Sequence, residues 1–296
     1  MLYDCLSIIH KEEVNMISRC YLEITNICNL DCLFCPKTKR NKRRLTLEEF
    51  DTLSSKLEGK IQFLYFHLMG EPTLHPQLSD MVLVARDKGF KPVITTNGTL
   101  LNKADALIKA KPHKIQISLQ ANEGNGMQEV DAYMEEVMAF SKKASQEGII
   151  VILRLWNQGG YETRNEQILN KIANFQPRPW IERHDGWKLA DNLFVEFDKM
   201  FEWPDVKNDA YADELNNVFC YALRNQIGVL VDGSVVPCCL DHDGDMVLGN
   251  LYNQTFDEIV TSPRARAIYD GFTNHKAVEP LCQRCGYAVK TKRFRQ

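Results

Sequence analysis

Cys28, Cys32 and Cys35 stand in the spacing C-x3-C-x2-C, directly after the apolar run Tyr21-Leu22-Glu23-Ile24-Thr25. Thiols this close share one loop, and as thiolates they select soft metal centres, either iron–sulfur clusters or zinc. A cubic four-iron cluster takes four ligands, and this loop offers three. One iron is then left open to a small molecule, as a catalytic zinc keeps an open position. The loop therefore reads as a reactive site. A structural zinc knuckle is the alternative, although its usual pairing with a second nearby knuckle is missing.

The chain around this loop alternates strand and helix patterns. The first strand is expected at Tyr21 to Thr25, and Thr46 with Glu49 forms a capping box for a helix that Gly59 stops. Ile61 to Met69 is apolar nearly throughout, as suits a strand covered on both faces. Leu78, Met81, Val82 and Ala85 mark a helix closed by Gly89. Strands follow at Pro92 to Thr95, Lys114 to Leu119 and Ile149 to Leu155. Between them lie a helix capped by Asn102 and one with the stripe Met127, Val130, Met134, Val137 and Met138, a spacing typical of core. A helix through Ile168 and Ile172 precedes a short sixth strand around Trp180-Ile181-Glu182. Such alternation predicts a mostly parallel sheet with right-handed crossovers.

Residues 186–215 break the pattern with aromatics among acids, and read as a linker packed on the sheet or as a substrate-facing wall. From Cys220 the composition changes again. Ile227 to Val231, Asp232-Gly233 and Ser234 to Val236 predict a β-hairpin, followed by Cys238 and Cys239, a helix capped by Thr255, and Cys282-Gln283-Arg284-Cys285. The expected division is 1–19 as an N-terminal extension, 20–185 as the core, 186–215 as linker and 216–296 as a cysteine-rich domain. Of the ten cysteines, Cys5 and Cys20 fall outside both clusters and read as buried apolar residues.

The cysteine loop, with an aromatic before its last thiol, resembles the signature of the radical S-adenosylmethionine (SAM) enzymes. Met69-Gly70-Glu71-Pro72 and Thr95-Thr96-Asn97-Gly98-Thr99 follow in that family's order, and the C-terminal cysteines resemble its SPASM and twitch auxiliary-cluster domains. The resemblance implies an α/β fold: an open, partial (β/α)6 TIM-like barrel with a small C-terminal α+β domain built of a hairpin and a helix. It implies a [4Fe-4S] cluster on Cys28, Cys32 and Cys35 whose open iron chelates SAM. One-electron reduction would release a 5′-deoxyadenosyl radical that takes a hydrogen atom from the substrate.

By the same resemblance Gly70 and Glu71 clamp the SAM amino group; Asn97, Ser118 and Arg154, on later strand ends, are candidates for contacts to its ribose or carboxylate, Arg154 above all because a guanidinium in a buried strand needs an anionic partner. Cys220, Cys238, Cys282 and Cys285 would hold one auxiliary [4Fe-4S] cluster, with Cys239 spare and able to exchange places with Cys238. A fully ligated cluster suits electron transfer, hence a net two-electron oxidation. The arrangement looks like that of the aminocyclitol dehydrogenases and less like the peptide and sulfatase maturases. The molybdopterin-cofactor cyclases also carry a twitch-type domain, but their C-terminal Gly-Gly is not matched by Phe294-Arg295-Gln296. A base is needed for the oxidation, and Asp241 and His242, in the loop after the hairpin, are the candidates. A flavodoxin or ferredoxin-type electron donor is implied as partner.

A net charge of −3 argues against a chain built to coat nucleic acid. No apolar run suggests a membrane span and no signal peptide is apparent, so a cytoplasmic location is expected. Lys37 to Arg44 carries six basic residues in eight, read as a solvated loop or as a collar that attracts an acidic substrate. The substrate is expected to be a hydroxylated small molecule or a peptide side chain. From another class, a zinc-binding interaction protein fits the same cysteines.

Overall fold

The structure, a computed structural model, describes residues 17–127, 129–208, 215 and 217–293. Cys5 and nearly all of the expected N-terminal extension lie outside these residues, as do part of the expected linker and the last three positions. The first half of the chain forms β1 (Arg19–Leu22), α1 (Leu47–Ser55), β2 (Phe63–Tyr65), α2 (Leu78–Asp87), β3 (Lys91–Thr96), α3 (Asp105–Ala110), β4 (Lys114–Ser118) and α4 (Gln120–Gly124). Then come α5 (Val130–Gln146), β5 (Ile150–Gln158), α6 (Asn165–Phe175), β6 (Ile181–Arg183), β7 (Gly186–Ala190) and β8 (Leu193–Lys199). The C-terminal part adds β9 (Gln226–Val229), β10 (Ser234–Val236), β11 (Gly249–Asn250), α7 (Phe256–Val260), α8 (Pro263–Thr273) and α9 (Gly286–Arg293).

All the strands belong to one sheet, in the order β11-β10-β9-β1-β2-β3-β4-β5-β8-β7-β6. The run β1-β2-β3-β4-β5-β8 is parallel throughout, which makes the six-strand open barrel. The sixth parallel strand is not the one expected at Trp180 to Glu182. That segment is the antiparallel edge β6, and the parallel partner of β5 is β8, inside the expected linker. Leu193, Val195 and Phe197 alternate with Phe194, Glu196 and Asp198, a strand period obscured by the surrounding acids and aromatics. Trp187 packs between Trp180 and Phe197, so β7 belongs to the sheet as well.

The C-terminal hairpin joins the same sheet, because β9 runs parallel to β1 with Arg19 opposite Gln226 and Leu22 opposite Val229. Its turn spans Leu230 to Gly233, longer than the Asp-Gly pair alone, with Gly233 at φ +83°. The capping boxes at Thr46 and Thr255 both form. Asn102 caps nothing; its amide reaches Glu136 instead, and α3 starts three residues later at Asp105. The basic tail is helical to Arg293, held by Lys290 to Asp198 at 2.5 Å. No helix among the described residues is long and apolar enough to cross a membrane.

The two faces of the barrel differ in chemistry. Cys20, Leu22, Leu64, Ile94, Ile115, Ile117, Val151, Leu153 and Val195 point outward and are buried beneath Phe50, Leu53, Met81, Val82, Met134, Val137, Ile168 and Ile172 of the helices. Each such side chain contributes about 1.5–3 kcal/mol on burial, and Cys20 and the methionine stripe are core, as expected. The alternate positions are Tyr21, Tyr65, Thr95, Gln116, Ser118, Arg154 and Glu196, and they face the interior. Ile61 to Met69 is therefore not a strand covered by apolar surface on both faces: only Phe63 to Tyr65 is strand, and Tyr65 and His67 turn inward to a polar space.

Candidate metal and SAM site

The cysteine loop follows the C-terminal end of β1, and α4 carries it. Leu33 N donates to Gly124 O at 2.7 Å, Asp31 N to Asn125 Oδ1 at 2.8 Å, and the Cys32 thiol lies 3.9 Å from Ala121 O. Phe34, the aromatic before the last cysteine, lies so close on Gly124 that a Cβ there would run into its ring. This support escaped the sequence reading, since Gln-Ala-Asn-Glu-Gly has no apolar face; Gly124-Asn125-Gly126 was the only cue.

Gly70, at φ +79°, brings its backbone so near the Thr25 carbonyl that any side chain would collide with it. Glu71 N donates to Ile27 O at 2.9 Å, which ties this turn to the residue before Cys28. The Glu71 carboxylate is buried; its Oε1 accepts from Thr73 N, Thr73 Oγ1 and Thr96 Oγ1, and its Oε2 from Asn97 N. Of the about four acceptor sites of a carboxylate, those on Oε1 are taken and Oε2 keeps one, and the group joins the ends of β2 and β3. Burial still raises its pKa against those hydrogen bonds. Asn97 does reach the loop: its amide nitrogen lies 3.9 Å from the Cys28 sulfur and 3.0 Å from Asn29 Oδ1. Ser118 and Arg154 stand opposite each other in register on β4 and β5.

The basic run is neither a free loop nor a plain collar. Arg40 forms a bidentate pair with the fully buried Glu23 carboxylate, both bonds at 2.7 Å, and its Nε donates to His242 O at 2.9 Å. Glu23 also accepts from Met69 N and Val231 N. One carboxylate thus joins the ends of β1 and β9, the turn after β2 and the chain leaving the cysteine loop.

The second cysteine set converges. Cys220, Cys238, Cys282 and Cys285 line one cavity of about 120 Å³, walled by Phe219, Met246, Phe272 and Leu281. Cys239 is not among its lining residues. It packs instead with Leu68, Met69, Leu230 and Val236, the cluster that Cys35 also touches, and its thiol is hydrogen-bonded to Tyr21. Among the described residues no three His, Cys, Asp or Glu side chains close round a single ion. Burial, then repulsion between neighbouring thiols, pushes Cys32 up to about 11; burial raises Cys28 and Cys35 as well. Burial likewise raises Cys220, Cys238 and Cys282, and pushes Cys285 up to about 12. Thiols so placed become thiolates when a metal supplies the compensating charge, so both donor sets fit iron–sulfur ligation.

A larger opening of about 770 Å³ has Cys35, Phe34, Tyr161, Trp203, His242 and Asp243 on its walls. Phe201 and Trp203, from the expected linker, therefore form a wall of this mouth. The Asp241 carboxylate is buried and accepts from Gly244 N, Asp245 N and Met246 N of its own loop. His242 faces the mouth with its ring edge-on to Trp203 at 5.8 Å.

In the barrel interior, Tyr21 stacks on Tyr65 at 4.5 Å and meets His67 at 5.6 Å. Burial, then the nearby Arg154 charge, pushes the His67 imidazole down to about 3. The unfolded chain binds a proton near pH 6.5 that the folded one refuses. Stability is therefore full above that pH and lost as pH falls, by up to about 1.4 kcal/mol per pH unit. His67→Gln is expected to flatten this slope in urea titrations between about pH 7 and 5.5; an equal slope in both proteins would show that His67 titrates in the fold as it does in the unfolded chain.

Comparison with known proteins agrees with this architecture. Residues 22–172 match the Radical SAM superfamily, and residues 220–286 match the SPASM iron–sulfur cluster-binding domain. A cofactor-modifying protein for tungsten-containing aldehyde ferredoxin oxidoreductase from Pyrococcus furiosus is 37% identical over 94 residues, 30% of this chain and 26% of that protein. The GTP 3′,8-cyclase of Chlorobaculum tepidum is 36% identical over 107 residues, 33% of this chain and 31% of that protein. The matches thus span only about a quarter to a third of these relatives. A probable GTP 3′,8-cyclase from Methanococcus maripaludis is 28% identical over 260 residues, 77% of this chain and 87% of its own. Among solved structures, BtrN in complex with AdoMet and 2-DOIA superposes with TM-score 0.59 at 18% identity, covering 91% of this chain and 92% of BtrN. anSMEcpe with bound AdoMet gives 0.61 at 13%, covering 93% and 91%. With its first cysteine set on the barrel and its second in the C-terminal region, the chain belongs to the radical SAM superfamily; it uses a SAM-bound [4Fe-4S] cluster and has a SPASM domain for auxiliary iron–sulfur ligation.

Proposed function

We propose that the protein catalyses a net two-electron oxidation of a small polar molecule. The observation that carries this reading is the cavity lined by Cys220, Cys238, Cys282 and Cys285. Four thiolates complete the coordination of a [4Fe-4S] cluster, which leaves no position for substrate and suits the site to moving electrons. When bound, the SAM-ligated cluster supplies hydrogen-atom abstraction. Cys28, Cys32 and Cys35 hold that group, while Asn97 and the Gly70 turn shape the loop beside it. His242, on the wall of the mouth, takes the substrate proton. Phe34, Phe201 and Trp203 keep water from the reacting carbon. An external one-electron donor of flavodoxin or ferredoxin type reduces the first cluster.

Iron counting after anaerobic reconstitution tests the reading. The wild type is expected to hold about eight irons per chain and Cys282→Ala/Cys285→Ala about four, with SAM cleavage retained and turnover of substrate lost. Four irons in both proteins would remove the electron acceptor and with it the oxidation. The coverage of the Methanococcus maripaludis relative favours a second reading, cyclisation of a nucleotide. GTP consumption without gain of an oxidised product would select it over the first.

A further inference from the structure

The interior of the barrel holds a guanidinium whose hydrogen-bonding capacity the described residues leave unfilled. Arg154 is only 8% exposed, and its Nε has no hydrogen-bond partner. The guanidinium lies 3.2 Å from the centre of the Trp156 ring. Strand register sets it opposite Glu196 on β8, yet the two form no ion pair within 4.0 Å among the described residues. A buried cation with neither a close ion pair nor a hydrogen bond at Nε is costly even on an indole face, and a group brought in from outside would supply both. The neighbouring charges say which kind. Lys114 and Arg154 both act on Glu196, Arg19 is felt at Lys114, and Asp198 is held by Lys290; an anion is the group that a guanidinium in such surroundings takes.

The position is as informative as the charge. Arg154 neighbours Tyr21, Tyr65 and Cys239. Cys239 packs on the apolar cluster that Cys35 also touches. Tyr21, Tyr65, His67 and Cys239 each keep some accessible surface although they lie inside the sheet.

We propose that Arg154 is the anchor of an anion-accepting subsite inside the barrel, and that the substrate carries a carboxylate or phosphate which seats there beside Cys239. The proposal deepens the oxidation reading and rests on it for the word substrate; binding of the anion does not depend on turnover. It also moves Arg154 from SAM to substrate.

Cys239 is the natural reporter, since the other cysteines of the interior and C-terminal region are assigned to clusters. The experiment uses the reconstituted holoprotein under anaerobic conditions in a Cys5→Ser background, with peptide mapping of alkylated Cys239. Iodoacetate, an anion, is compared with neutral iodoacetamide, and N-acetylcysteine treated alongside gives the intrinsic ratio of the two rates. Both reagents attack the same thiolate, so the ratio is independent of its ionisation. A charge-assisted contact is expected to raise the iodoacetate-to-iodoacetamide ratio about tenfold above that of the free thiol. Inorganic phosphate should slow the iodoacetate reaction competitively. Arg154→Gln should return the ratio to the free-thiol value, and Arg154→Lys should keep most of the preference while iron content stays that of the wild type. Persistence of the preference with saturating SAM supports a substrate subsite. Its loss with SAM would assign Arg154 to the SAM carboxylate and overturn the proposal, as would equal ratios in wild type and Arg154→Gln. Failure of SAM cleavage with the labelling preference intact would count against the oxidation reading alone.

Discussion

Alanine at Cys28, Cys32 and Cys35 together abolishes formation of 5′-deoxyadenosine from SAM and lowers iron from about eight to about four per chain, the complement of the C-terminal double variant. The effect is total because the three thiols are the whole protein share of the first cluster. The loop itself survives the change. Its main ties to α4 are the hydrogen bonds of Leu33 N and Asp31 N and the packing of the Phe34 ring on Gly124, and only the long Cys32 thiol contact with Ala121 O would be lost. The variant should therefore keep its fold and its auxiliary iron, and circular dichroism with visible absorbance would check both. Retention of all eight irons would mean that the first set is not a ligand set. Release of deoxyadenosine at the wild-type rate would remove the SAM chemistry from this loop.

Arg40→Ala destabilises the protein by about 3–5 kcal/mol, read as a shift in urea midpoint, because it strands the Glu23 carboxylate without its counter-ion. Glu23 has no exposed side-chain surface and Arg40 only 15%, so water cannot take over the pairing. Met69 N and Val231 N would remain on the carboxylate, which sets the effect below that of an entirely orphaned charge. Pairing the change with Glu23→Gln removes the charge and recovers part of the loss, since replacing both partners is milder than breaking one. A single variant within about 0.5 kcal/mol of wild type would return the basic run to the class of solvated loops. Because Arg40 Nε also holds His242 O, the single variant should loosen the mouth and raise the KM for substrate.

The parts of this molecule legible in the sequence were those with local physical causes. Thr46 and Thr255 announced helices through their capping boxes, and the cysteine spacings announced two soft-metal sites. The reading also put Cys20 and Met134 in the core. What escaped depends on contacts distant in sequence. Nothing local distinguishes Cys238 from Cys239; they separate only because Pro237 and β10 turn one thiol to the cavity of Cys220 and the other to Tyr21. The donors that Thr96 and Asn97 bring to Glu71 come from 25 and 26 residues away, whereas those on Asp241 come from its own loop. Strand β8 was hidden because Glu196 and Asp198 occupy inward positions, where a hollow interior accepts charge and a filled barrel would not. Charged inward positions on a strand are therefore a sign of a cavity rather than evidence against the strand.

Under the proposed oxidation, the parallel ladder between β1 and β9 bears on the electron path. The first thiol set follows β1, Cys220 and Cys238 flank the β9–β10 hairpin, and the ladder from Arg19–Gln226 to Leu22–Val229 fixes one strand against the other. The tunnelling distance between the two proposed redox centres would then be written in strand register and not in the length of the roughly 200 residues that connect them. Loops and helices in that stretch could lengthen, and the wall from Phe201 to Asn208 could change its chemistry, without retuning the transfer of electrons.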